Sequence, residues 1–147
     1  MILISHRGNI TGPNPSKENH PDYILEALYQ GYNVEVDVWH TDGLKLGHDT
    51  PQYTFDEYLF FVIWGKNIWW HCKNIEAISF FKNHPYIYLN YFWHETDTIT
   101  LTSQNYIWAY PGNQPIKNSI AVMPEIYNDD ISQCEGICSD YIQNYIK

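Results

Sequence analysis

Asn33-Val34-Glu35-Val36-Asp37-Val38-Trp39 alternates without a break. A period of two marks a β-strand, with Val34, Val36 and Val38 on one face and Glu35 and Asp37 on the other. The valines call for a core. The acidic face has two readings. Either the strand lies at an edge with that face in water, or the face is internal and a cation holds the pair, since two buried carboxylates are otherwise costly. A hard divalent ion suits the second reading, because Mg²⁺ and Ca²⁺ take oxygen ligands.

Upstream, Ile2 to Ser5 reads as a short buried strand, and residues 8–16 as a loop rich in Gly, Pro, Asn and Ser. Pro21 to Tyr29 predicts a helix. Pro21 suits its first turn, Ile24, Ala27 and Leu28 form the apolar stripe, and Gly31 suits the position just past its end. Downstream, Asp42-Gly43 is a hairpin turn with Leu44 to Leu46 as the return strand. Thr54 and Glu57 match a capping box and predict a helix through about Trp64. Ile68 to Cys72 is a strand, and Asn74 would cap a helix from Ile75 to Lys82. Beyond residue 84 the helical period stops. Tyr86 to Phe92, Tyr106 to Tyr110, Ser119 to Met123 and Gly136 to Ser139 read as short strands with brief links.

Strand–helix alternation in the first half implies parallel strands and an α/β fold. Seven or eight strands suit a small TIM-type parallel (β/α) barrel with several outer helices reduced to loops. A full barrel takes about 250 residues and this chain has 147, so an open α/β sheet is the alternative. With no repeat and no linker, residues 1–147 read as one domain.

The net charge of -9, with only 8 Lys plus Arg, lacks the basic footprint of a nucleic-acid binder. An anionic substrate would need a metal or a local Arg/Lys cluster to reverse the field. The cysteines, Cys72, Cys134 and Cys138, are odd in number and form no CxxC pair, which points to reduced thiols and a cytoplasmic setting. Ile2-Leu3-Ile4 directly after Met1 reads as a strand start rather than a signal peptide. The longest apolar run, Tyr58 to Trp64, is too short to span a bilayer.

His6-Arg7-Gly8 ends the first strand, and His48-Asp49 follows the hairpin. In a parallel barrel the strand C-termini converge on one mouth. Two imidazoles, a guanidinium and two carboxylates would meet there. Imidazole suits proton transfer near neutral pH, and Arg offers a fork for phosphate oxygens.

In order, the chain reads His6-Arg7-Gly8, Lys17-Glu18-Asn19, Glu35-Val36-Asp37, Asp42-Gly43 and His48-Asp49, with Gly136-Ile137-Cys138-Ser139-Asp140-Tyr141 near the end. This series resembles the signature of the glycerophosphodiester phosphodiesterase family, which runs His-Arg-Gly, Pro-Glu-Asn, Glu-x-Asp, Asp-Gly, His-Asp and closes on a similar last-strand motif. The first five motifs cover about the first third of the chain. The resemblance implies a divalent metal ion, Mg²⁺ or Ca²⁺, on Glu35 and Asp37. It implies His6 and His48 as the acid/base pair and Arg7 as a phosphate ligand. The family's Glu-x-Lys falls on His71-Cys72-Lys73, so Lys73 would bind phosphate while His71 stands where an acidic ligand belongs. Either His71 ligates the metal, which would tilt preference toward Mn²⁺ or Zn²⁺, or Glu95 or Glu125 supplies the ligand. In a third case a protonated His71 replaces the ion.

The implied function is metal-dependent cleavage of a glycerophosphodiester-like or related small phosphodiester, by hydrolysis or through a cyclic phosphate. A non-catalytic phosphate-binding module on a decayed barrel is the rival, which the retained His6 and His48 disfavour. Among other residues, His94 and Glu95 end a strand and can reach the mouth. Trp108 reads as core and Tyr110 as core or stacking surface, and His20, His40 and His84 as solvent-facing or capping. Cys134-x-x-x-Cys138 lacks the helical pattern of a zinc site. Neither the oligomeric state nor the natural leaving alcohol is legible.

Overall fold

In the computed structural model, which describes residues 1–146, the strand Asn33–His40 is buried on both faces. Glu35 is 2% exposed and Asp37 fully buried, which excludes an edge strand with its acidic face in water. The valines pack outward against helices, and the acids point into the sheet's enclosed side.

The elements are β1 (Ile2–His6), α1 (Pro21–Tyr29), β2 (Asn33–His40), β3 (Leu44–Leu46), β4 (Ile68–Cys72), α2 (Ile75–Asn83), β5 (Asn90–Trp93), β6 (Ile99–Leu101), β7 (Ile107–Ala109), β8 (Ser119–Val122) and β9 (Gly136–Ser139). One sheet runs β5-β4-β2-β1-β9-β8-β7-β6, with β3 hanging on β2. All pairings are parallel except β2 with β3 and β6 with β7. The outermost strands face each other across a seam. Ser103 N donates to Tyr91 O at 2.8 Å, and Thr100 Oγ1 donates to Trp93 O at 3.0 Å. The sheet is thus a nearly closed, mostly parallel barrel with few helices. No helix among the described residues is long and apolar enough to cross a membrane.

The two faces carry separate cores. Inside lie Ile4, Trp69, Phe92, Trp108, Ile120 and Cys138. Gly136 is needed there, because a Cβ would come within 2.8 Å of Ile120 and 2.9 Å of Ile2. Outside, Val34, Val36, Val38 and Trp70 pack on Ile24 and Leu28 of α1 and on Ala77 and Phe81 of α2. Both helices follow the sequence reading. His20 accepts the Asp22 N–H at the start of α1, Gly31 takes φ +91 after it, and Asn74 accepts the Ala77 N–H to start α2.

Three segments differ from the sequence reading. The helix predicted from Thr54 to Trp64 is largely a short π-helical turn, Leu59–Ile63, and Asp56 rather than Thr54 caps it by accepting the Leu59 N–H at 3.0 Å. The wide turn buries two consecutive aromatic side chains, Phe60 and Phe61. The strand predicted over 86–92 is confined to Asn90–Trp93. Last, β6 was not legible, since Ile99 and Leu101 remain exposed and only Thr100 turns inward.

Candidate active site

At the end of β1 the chain turns through two left-handed residues, Arg7 (φ +55) and Gly8 (φ +94). Glycine adopts this backbone freely, whereas arginine does so against steric resistance of roughly 1 kcal/mol. The turn is held because Arg7 N donates to Glu35 O at 2.9 Å. It brings Arg7 Nε to 2.9 Å from Asp37 Oδ2 and Nη1 to 3.2 Å from Glu18 Oε2.

Glu18 and Asn19 work behind these groups. Asn19 Nδ2 donates to Asp37 Oδ2, and Asp37 N donates to Asn19 Oδ1, each at 2.9 Å. Asn19 reaches this clamp with φ +62, a conformation asparagine tolerates. Lys17 instead lies over the Tyr23 ring at 5.6 Å, so the first position of Lys-Glu-Asn is peripheral.

The register pairs Asp37 with His71 on neighbouring parallel strands. His71 Nδ1 is 3.0 Å from Asp37 Oδ1 and 3.5 Å from Glu35 Oε1. Glu35, Asp37 and His71 offer ligand atoms within 4.8 Å of one another. Glu35 Oε2 and Asp37 Oδ1 are buried and accept no hydrogen bond. His71 Nδ1 beside Asp37 Oδ1 is therefore an ion-pair neighbour lacking hydrogen-bond alignment, as is Arg7 Nε, itself unpaired, beside Asp37 Oδ2. Meanwhile His71 Nε2 lies 3.3 Å from the His94 carbonyl, and its ring stacks on Phe92 at 5.0 Å and 10°. Donation from Nε2 to that carbonyl leaves the Nδ1 lone pair facing the carboxylates, as a ligating imidazole requires. Two orphaned carboxylate oxygens and one imidazole nitrogen fit a divalent cation, and the nitrogen favours Mn²⁺ or Zn²⁺ over Ca²⁺.

Electrostatics bind the cluster tightly. Burial disfavours the Asp37 carboxylate, but His71, Arg7 and Lys73 hold its pKa well below the ordinary range. Burial also disfavours the His71 imidazolium, yet Asp37 and Glu35 raise its pKa to about 9. A proton or a metal ion thus answers the same negative field.

His6 Nδ1 donates to Asp140 Oδ1 at 2.7 Å, and its Nε2 lies 3.8 Å from Glu35 Oε2. Asn9, fully buried, donates Nδ2 to Asp140 at 2.7 Å and to Glu18 at 2.9 Å, joining the supports of His6 and Arg7. His48 Nδ1 is 2.7 Å from Asp49 Oδ1 on a more exposed rim, and Lys73 Nζ is 3.6 Å from Asp37 Oδ1. A cavity of about 370 Å³ opens at this end of the barrel, with His6, Arg7, Glu35, His48, His71 and Lys73 along its lining. Asp37 lies beneath them, fully buried. The far wall includes Trp93, His94, Glu95 and Tyr110, where His94 stacks on Tyr110 at 3.6 Å.

All seven sequence-derived site residues therefore gather around one cavity. Of the alternative third ligands, Glu125 is excluded by position, since it accepts Ser139 Oγ and Tyr145 OH outside the cavity. Glu95 reaches the cavity wall but is not part of the ligand cluster. Trp108 packs in the core, at 2% exposure, and also forms part of the cavity lining, while His84 ends α2. The supports Asn9, Glu18, Asn19 and Asp140 carry no role in the sequence reading. For Asp140 a signal existed, a carboxylate one residue past the last strand. No protein family, curated protein or solved structure matches the chain.

Proposed function

We propose that this chain is a divalent-metal-dependent phosphodiesterase acting on a small phosphodiester of the glycerophosphodiester kind, on a TIM-type barrel whose later helices are lost. The observation that carries the reading is the single cavity that joins an orphaned acidic pair, two cationic side chains and two imidazoles each backed by a carboxylate. Each component answers one demand of phosphoryl transfer, which is mostly positioning and charge neutralisation.

Glu35, Asp37 and His71 would hold the ion, which when bound supplies Lewis-acid neutralisation of the phosphoryl oxygens. Arg7, braced by Asp37 and Glu18, directs its remaining donors at the same oxygens, and Lys73 adds a second positive charge. His6 keeps Nδ1 on Asp140 and offers Nε2 to the cavity, where it takes or delivers a proton. His48, braced by Asp49, handles the complementary transfer. One imidazole activates the nucleophile, either water or a hydroxyl of the substrate, and the other protonates the leaving alcohol.

A second reading draws on the ion-pair geometry of His71. Its imidazolium, with a pKa near 9, would neutralise Asp37 and Glu35 without an ion and leave a phosphate-binding module. Turnover of a chromogenic bis-aryl phosphodiester separates the two. The phosphodiesterase reading predicts turnover that falls at least about 100-fold in both His6→Ala and His48→Ala, the worth of a positioned proton donor or acceptor. A folded His6→Ala variant with wild-type turnover would remove His6 from the machinery, and a wild type with no turnover under any metal favours the binding module.

A further inference from the structure

His6 and His48 share the proposed proton transfers, yet the chain holds them differently. His6 ends β1, its side chain is 15% exposed, and Asp140 reaches it from the far end of the sequence. His48 lies on a loop, its side chain is 43% exposed, and its partner Asp49 is the next residue, 89% exposed. An ion pair in water between neighbours on one loop contributes little and travels with the loop. Asp49 orients the imidazole without fixing where the loop stands. A misplacement of about 1 Å can cost a catalytic group about 100-fold, so His48 needs an anchor outside its own loop.

The loop is closed at its base by the backbone. Leu46 N donates to Tyr53 O at 2.8 Å, and Gln52 N and Tyr53 N both donate to Leu46 O at 2.9 Å. Between these bonds residues 48–52 are exposed, while Gly47 is buried. Gly47 N donates to Asp37 O at 3.1 Å, and Gly47 O accepts the Trp39 indole N–H at 2.7 Å. Both polar groups of Gly47 are thus held by β2, one by its backbone and one by a side chain. An indole nitrogen only donates, so the direction of the second bond is fixed. The Gly47 carbonyl belongs to the peptide that joins Gly47 to His48, so the indole sets the plane from which His48 departs. No side chain is admitted at Gly47, since a Cβ would collide with the Thr50 carbonyl. Trp39 follows Asp37 by two residues on β2 and shares its face. It ties the loop of His48 to the strand that carries Glu35 and Asp37.

We propose that Trp39 is the positioning residue of His48, holding it at the cavity rim through the Gly47 carbonyl. The role rests on the phosphodiesterase reading, although the anchor itself can be measured without turnover.

The test is Trp39→Phe in the full chain, which keeps a ring and removes the indole donor. Backbone amide relaxation by NMR should show His48 and Asp49 losing order while Leu46 and Tyr53 keep theirs. With Mn²⁺ and a bis-aryl phosphodiester, kcat should fall at least about tenfold with KM nearly unchanged. Combined with His48→Ala the losses should not add, leaving the double variant no slower than His48→Ala alone. Gly47→Ala, which displaces the same peptide from the Thr50 side, should repeat the loss in kcat. Unchanged order at His48 in Trp39→Phe would overturn the proposal whatever the turnover. Additive losses, or weaker Mn²⁺ binding in Trp39→Phe, would place its effect at Asp37 and overturn it too. A wild type without turnover, whose His48 still loses order in Trp39→Phe, would overturn the phosphodiesterase reading and leave the anchor standing.

Discussion

Asp140 sits one residue beyond the last strand and takes the Nδ1 hydrogen of His6 at 2.7 Å. That contact fixes which nitrogen faces the cavity and supports the imidazolium once it forms. Asp140→Asn keeps the shape but loses the charge. It should lower kcat at least about tenfold, with KM nearly unchanged and the pH profile displaced, as expected of a positioning residue. Stability should respond as well. Burial works against the Asp140 carboxylate, but His6, Asn9 and Arg7 hold its pKa below the ordinary 3.8. A depressed pKa stabilises the fold fully above 3.8, and that stabilisation is lost as pH falls toward the folded value. Urea unfolding between about pH 5 and pH 3 should therefore show a steeper loss for wild type than for Asp140→Asn. Equal slopes would mean that the contact carries no charge. At this scale, what sequence reveals is local. Glu35 and Asp37 share a face because a strand has period two, and His6 and His48 stand out at strand ends. The pairing of Asp140 with His6 spans 134 residues of sequence, and the Asn19 clamp on Asp37 depends on a left-handed turn. Neither follows from spacing.

The segment from 54 to 64 tests the reading of elements. Thr54 and Glu57 have capping-box spacing, yet Asp56 Oδ1 accepts the Leu59 N–H and the backbone then widens into a π turn. Asp56→Ala should cost about 0.5–2 kcal/mol, the usual range for a lost N-cap, and Thr54→Ala a few tenths at most. Thermal or urea unfolding of the two variants decides it, and the reverse order would restore the longer helix. Packing chose the π turn. Phe55, Phe60 and Phe61 all converge on Trp70, with ring centroids 5.2 to 6.4 Å away, and the turn buries Phe60 and Phe61 together. Similar forces hid β6. Its outward residues stay exposed because no helix follows, so the alternation that marks a half-buried strand has nothing apolar to cover it. The elements of the first half were legible because α1 and α2 carry ordinary caps and an apolar stripe that β2 and β4 bury.

At the level of the molecule, 147 residues suffice for a nearly closed barrel because the two long helices protect only one side. Beyond β1, β9 is covered by Tyr32 and Ile142, and the barrel closes at β5 and β6 through hydrogen bonds rather than a continuous ladder. The parallel order, and hence a mouth where strand ends converge, followed from strand–helix alternation. The degree of closure did not, because it rests on Thr100 and Ser103 in a stretch without periodicity. The proposed function is concentrated at that mouth, and the proposal rests on a cation for two buried carboxylates. The most direct test strips the protein with chelator and titrates Mg²⁺, Mn²⁺ and Zn²⁺ into wild type, Glu35→Gln and His71→Ala, following bis-aryl phosphodiester turnover alongside bound metal. Turnover should vanish on stripping and return in wild type with Mn²⁺ or Zn²⁺ at least matching Mg²⁺, while Glu35→Gln stays inactive and His71→Ala loses the advantage of the softer ions. Turnover that persists unchanged after complete stripping would contradict the metal-dependent account.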